Sequence, residues 1–116
     1  MPSKPSYRAF AKLYITAAND SGEEALGSGV MALLHGVEQA GSLNRAAKEM
    51  EMAYSKAWKL VKRAEEHMGF ALIEREGARG SKLTSEGVRL LQSFEAVSRK
   101  LSDYADELLQ QELSRR

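Results

Sequence analysis

At 116 residues with 43% hydrophobic content and a formal net charge of +1, the chain is long enough for one domain with a modest core and too short for several. It has no cysteine, which excludes a disulfide framework and a thiolate metal site, and no apolar run nears the ~20 residues of a membrane span. The N-terminal MPSKPSYR lacks the apolar core of a signal peptide. Together these features point to a cytoplasmic protein with no membrane partner.

Residues 1–9, with Pro2 and Pro5, read as a flexible lead. From Ala11 to Ala17 the chain alternates, with Leu13, Ile15 and Ala17 on one side and Lys12, Tyr14 and Thr16 on the other, as in a half-buried strand. Asn19-Asp20-Ser21-Gly22 is a turn, and Glu23–Leu26 is expected to return as a second short strand. Ser28 is the expected N-cap of a first helix whose apolar stripe is Val30, Leu33, Leu34 and Val37, ended by Gly41. Ser42 then caps a helix over Leu43–Met50, in which small Ala46 and Ala47 allow a neighbouring helix to come close.

A turn at Glu51-Met52 leads to a third helix, Ala53–Met68, stopped by Gly69. On a wheel of about 100° per residue, Ala53, Leu60, Val61, Ala64 and Met68 cluster around Ala57. Ser55, Lys59 and Lys62 point away from that cluster, with Lys56 and Arg63 on one flank and Trp58 on the other. Phe70–Glu74 and Lys82-Leu83-Thr84 are expected to pair as a β-hairpin wing around a Gly-rich turn that carries Arg75 and Arg79. Thr84 caps a last helix running to about Leu113, roughly 43 Å long. Phe94, Val97, Leu101, Tyr104 and Leu108 recur along it at spacings of three and four. That is a coiled-coil seam of about two heptads, and a second copy of the chain is its expected partner. The fold class is mainly α: a winged helix-turn-helix over residues 10–83, followed by a dimerisation helix over 84–116.

Charge is unevenly placed. Residues 43–83 hold nine Lys and Arg against six acids, whereas 1–42 hold three against four and 84–116 five against six. A compact helix pair with a local basic face suits a DNA major groove. The expected contacts are Lys56, Lys59, Lys62 and Arg63 to phosphates or guanine edges and Ser55 to a base edge or phosphate. Ser42 and Asn44 open the preceding helix where a phosphate can approach, and Arg75, Arg79 and Lys82 extend from the wing. Arg75 has an alternative role as an ion pair with Glu74 or Glu76. Tyr54 and Trp58 are expected to pack against the wing or first strand, and the methionines to fill the core. His35 and His67 have no neighbouring ligand set, so no metal or cofactor is expected. No phosphate-binding Gly-Lys loop and no nucleophile motif is present, which argues against an enzyme.

Several fragments recur in a known order: Gly41-Ser42-Leu43 with Ala46-Ala47, Met52-Ala53-Tyr54 with Ala57-Trp58, Leu72-Ile73-Glu74-Arg75, and Leu83-Thr84 with Gly87 and Leu90-Leu91. In these the chain resembles the N-terminal winged helix-turn-helix domain of molybdate-responsive ModE-type regulators, relatives of the LysR-type domain, over roughly residues 10–110. The resemblance implies a transcriptional regulator that binds a pseudo-palindromic site on double-stranded DNA as a homodimer. Ala53 stands where the family usually has Ser, Ser55 where it often has a basic residue, and Lys59 where it often has an acid. The wing is shorter than the family's, and no molybdate-binding domain follows the last helix before Arg116, so neither the DNA sequence read nor any effector is implied. A protein-interaction adaptor and a nonspecific nucleoid-type DNA binder are the alternatives.

Overall fold

The computed structural model describes residues 6–18, 26–78 and 80–115. In chain order these form α1 (Ser28–Ala40), α2 (Leu43–Glu49), α3 (Tyr54–Met68), strands β1 (Ile73–Arg75) and β2 (Ser81–Leu83), and α4 (Ser85–Leu113). The two strands pair antiparallel, Ile73 opposite Leu83 and Glu74 opposite Lys82. This is the winged helix-turn-helix arrangement with a long terminal helix.

The core lies where the apolar stripes meet: Leu33, Leu34 and Val37 of α1, Ala46 and Ala47 of α2, Ala57 and Val61 of α3, with Leu72 and Leu91 closing it. One close crossing joins α1 to α2. A Cβ built on Gly36 would stand 2.8 Å from that of Ala46, closer than carbon atoms pack. Ala46 and Ala47 thus admit a neighbouring helix as expected, and Gly36 supplies the other half of the contact.

Caps follow the sequence in part. Ser42 accepts from the Arg45 amide at 3.0 Å, as expected of an N-cap. Ser28 does not cap α1; it is the helix's first residue, and Gly27 takes the cap position with no side-chain bond. Ala53 caps α3 without a side-chain bond, because it has no oxygen to offer. Thr84 does more than cap α4. Its hydroxyl accepts from the Gly87 amide at 2.9 Å and donates to the Ala71 carbonyl at 2.7 Å, tying the helix to the segment before β1.

The N-terminal part departs most from expectation. The strand expected over Ala11–Ala17 is reduced to one antiparallel bridge, in which Ile15 and Leu26 exchange hydrogen bonds of 2.9 and 2.7 Å. Most of its expected partner, Glu23–Leu26, lies outside the described residues. Tyr7 and Ala9 fall within the segment read as a free lead, yet they lie along α4. Gln110 donates to the Tyr7 carbonyl (2.7 Å), Asp106 accepts from the Ala9 amide (3.0 Å), and Ser102 accepts from the Ala11 amide (3.2 Å). An extended backbone needs partners for its amides and carbonyls, and polar side chains four residues apart on one helix face supply them at strand-like intervals. Farther along, the Ala17 amide donates to His67 Nε2 at 3.1 Å at the end of α3.

Two outcomes test these contacts. Gly36→Val drives a branched side chain into Ala46 and should lower stability by about 1–3 kcal/mol, read as a reduced urea midpoint with the far-ultraviolet helix signal kept. Glu86, in the first turn of α4, has its carboxyl held below the ordinary range by a backbone N–H and then by the Ser85 hydroxyl. A lowered folded value stabilises the protein above the unfolded pKa of about 4.3 and is lost as pH falls through the folded value. Glu86→Gln should therefore flatten the decline of the thermal midpoint between about pH 5 and about pH 3.

Candidate nucleic-acid interface

The outer surface of α3 follows from which of its residues the core takes. Ala57, Val61 and Ala64 are buried, so Ser55, Lys59 and Arg63 are left exposed on the far side, with Lys56 beside them. These cations share the face with one acid, Glu66, near the C-terminal end of the helix.

Lys62 is exposed as well, but its ammonium is engaged. It lies 3.1 Å from Glu65 and 5.6 Å from the centroid of the Trp58 ring. The other carboxylate oxygen of Glu65 accepts from the amides of Leu72 (2.8 Å) and Ile73 (3.2 Å). One carboxylate therefore binds α3 to the start of β1. Sequence reasoning passed over Glu65 because the residues it holds are seven and eight positions on, in another element.

Between α2, α3 and the wing lies an open cleft of about 570 Å³, lined among others by Ser42, Asn44, Arg45, Tyr54 and Arg75. The wing is held beside it by the Gly41 turn. The Ser81 amide donates to the Gly41 carbonyl at 2.9 Å, and Gly80 packs so close to that oxygen that any side chain there would collide with it. Ser42 and Asn44, expected at a phosphate, are brought together with Arg75 across this cleft. Arg45 joins them unanticipated, although its place one residue after Asn44 in the first turn of α2 was the available signal.

Arg75 does not pair with Glu74. Lys82, the cross-strand neighbour of Glu74, does so at 3.6 Å, because adjacent strand residues point to opposite faces. Arg79 lies outside the described residues. Tyr54 and Trp58 border the wing residues Ile73 and Arg75 as expected, yet each ring keeps 46% of its surface exposed.

Along α4, Phe94 is partly buried against the chain's own core. Val97, Leu101, Tyr104 and Leu108 remain open, 39–60% exposed. Past Val97 the helix is not without an intrachain partner, since Ser102, Asp106 and Gln110 carry the N-terminal segment. At about 100° per residue those three lie on the side opposite the open apolar row. Among the described residues no helix is long and apolar enough to cross a membrane, and no cluster of His, Asp and Glu could hold a metal ion.

Known proteins are similar to this chain in sequence and in fold. Over 73 residues, 60% of its length, the chain is 37% identical to the molybdenum transport protein ModE of Herbaspirillum seropedicae, and it spans 27% of that relative's length. Its fold is similar to that in the crystal structure of a CbnR_DBD–DNA complex, with a TM-score of 0.60 and 22% identity over 75% of this chain and 97% of that one. Residues 30–88, from α1 through the wing to the start of α4, match the family described as bacterial regulatory helix-turn-helix protein, lysR family, and the chain belongs to that family.

Proposed function

We propose that this DNA-binding regulator recognises a pseudo-palindromic operator as a homodimer, with α3 in the major groove and the wing along the adjoining backbone. The observation that carries the reading is the exposed row of Ser55, Lys56, Lys59 and Arg63 on α3, standing beside a cleft with Arg45 and Arg75. Cations on such a face neutralise phosphates and reach guanine edges, while Ser42 and Asn44 position the backbone. Lys62 and Lys82, each already beside a carboxylate, contribute less free charge. A DNA complex of a similarly folded domain supports duplex DNA as the ligand.

The dimer rests on α4. Its open row repeats at coiled-coil spacing, and the opposite side is occupied by the chain's own N-terminal segment. Antiparallel pairing of two copies sets Leu101 over the partner's Tyr104 and Val97 over the partner's Leu108. It also brings Lys100 beside the partner's Glu107. Parallel pairing would instead face Glu107 with the partner's Glu112, a like-charge contact, so charge favours the antiparallel form.

Selection of duplexes from a random pool, repeated at two salt concentrations, tests the whole reading. An inverted repeat with half-sites about 34 Å apart is the expected result. Salt-sensitive retention without enrichment would replace it with a nonspecific binder, and no retention even at low salt would leave the adaptor. On the selected duplex, Lys59→Ala with Arg63→Ala should weaken binding at least tenfold and reduce the salt slope by about two, close to one per lost phosphate contact. Lys62→Ala alone should change the slope by less than one. Leu101→Asp should convert the dimer to monomer in sedimentation while leaving the helix signal intact.

A further inference from the structure

Two aromatic side chains on α3 keep nearly half of their surface in water. Tyr54 and Trp58 stand one turn apart, on the flank between the buried stripe and the cationic face, and each is 46% exposed. Below them lie Leu43, Val61 and Ile73, so one side of the ring pair is anchored on the core and the other is open. The indole is also held in place: the Lys62 ammonium sits over it, Lys62 is bound by Glu65, and Glu65 is bound to the Leu72 and Ile73 amides. A large apolar surface facing solvent beside Lys59 gains most from a ligand that is anionic with an apolar projection. In the major groove that projection is the C5-methyl group of thymine, the one apolar feature among the base edges.

We infer that Tyr54 and Trp58 read thymine methyl groups, and that they make a run of one or two thymines per half-site a requirement of the operator. The inference rests on the DNA-binding reading above and assigns it a base preference. Tyr54, as the first residue of α3, occupies the end of the helix that enters a groove most deeply. Its distance from the cations of the outer face separates the two tasks: phosphates and guanines for Lys56, Lys59 and Arg63, methyl groups for the rings.

The test uses the duplex enriched from the random pool, with each thymidine in turn replaced by deoxyuridine, which removes only the methyl group. At one or two positions per half-site the wild-type protein should lose about fourfold in affinity, the worth of one buried methyl-sized group. Trp58 is the only tryptophan in the sequence, so its emission reports the contact directly. Its change on binding should shrink with deoxyuridine at those same positions. Trp58→Ala should bind the thymidine and deoxyuridine duplexes equally at one of those positions while keeping the wild-type salt slope, and Trp58→Phe, which preserves an apolar ring and the packing below it, should retain part of the difference there. Equal wild-type affinity for thymidine and deoxyuridine at every position would overturn the inference and leave the DNA-binding reading standing. An undiminished deoxyuridine penalty in Trp58→Ala and in Tyr54→Ala would also overturn it. Failure of the wild-type protein to bind any duplex at low salt would overturn both.

Discussion

Close approach of backbone to backbone sets the geometry of this protein's head. Gly36 lets α1 settle against Ala46 of α2, Gly80 lets the wing rest on the Gly41 carbonyl, and Gly87 lets α4 cross over the Leu72 carbonyl. Each contact would be blocked by a Cβ, and each joins a different pair of elements. Together they fix α2, the wing and the long helix around a core of alanine, leucine and valine too small to enforce those positions by bulk alone. The exposed face of α3 has a defined relation to the wing because these joints are tight and Glu65 ties α3 to the Leu72 and Ile73 amides.

Charge on this head is divided between cations with a carboxylate beside them and cations facing solvent. Lys62 and Lys82 belong to the first group, bound to Glu65 and Glu74. Lys56, Lys59 and Arg63 belong to the second in position, on the side of α3 that the core does not use. The distinction matters energetically. A cation already beside a carboxylate gives up part of that interaction when it meets a phosphate, whereas a solvated one exchanges only water and counterions. The net positive charge of residues 43–83 is thus a poor count of the charge available to a ligand, and the distribution over α3 is the better guide.

Local rules made much of this legible in the sequence. Ser42 and Thr84 as caps, Gly41 and Gly69 as helix ends, and the burial of Ala57, Val61 and Ala64 in α3 all depend on neighbours within four residues, which periodicity and capping chemistry encode, whereas Ala53, expected with them, is exposed at the helix cap. The same holds for the outward placement of Ser55, Lys56, Lys59 and Arg63. What escaped depends on distant partners. Nothing in Ser102, Asp106 or Gln110 announces that they hold residues 7–11, because the hydrogen-bonded pairs lie 91 to 103 positions apart. Glu65 was invisible as the link to β1 for a related reason: its targets are main-chain amides, which every sequence offers. Ser28 was misplaced by one residue at a helix end, where Gly27 can take the cap position without a side chain. Phe94 fits the heptad pattern, and its partial burial against the core comes from the packing of α4 on the head, which the pattern does not encode.

The bonds between the N-terminal segment and α4 have a consequence for the order of events during synthesis. Ala9 meets Asp106 and Tyr7 meets Gln110, so these residues wait for partners made 97 and 103 positions later in the chain. Helices α1 to α3 can close around their core from contacts much shorter in sequence, and they do so without residues 7–11. Through that interval the backbone of Tyr7, Ala9 and Ala11 lacks its partners on α4. Only with α4 formed can the segment dock, so a product truncated before Ser102 would leave residues 7–11 undocked.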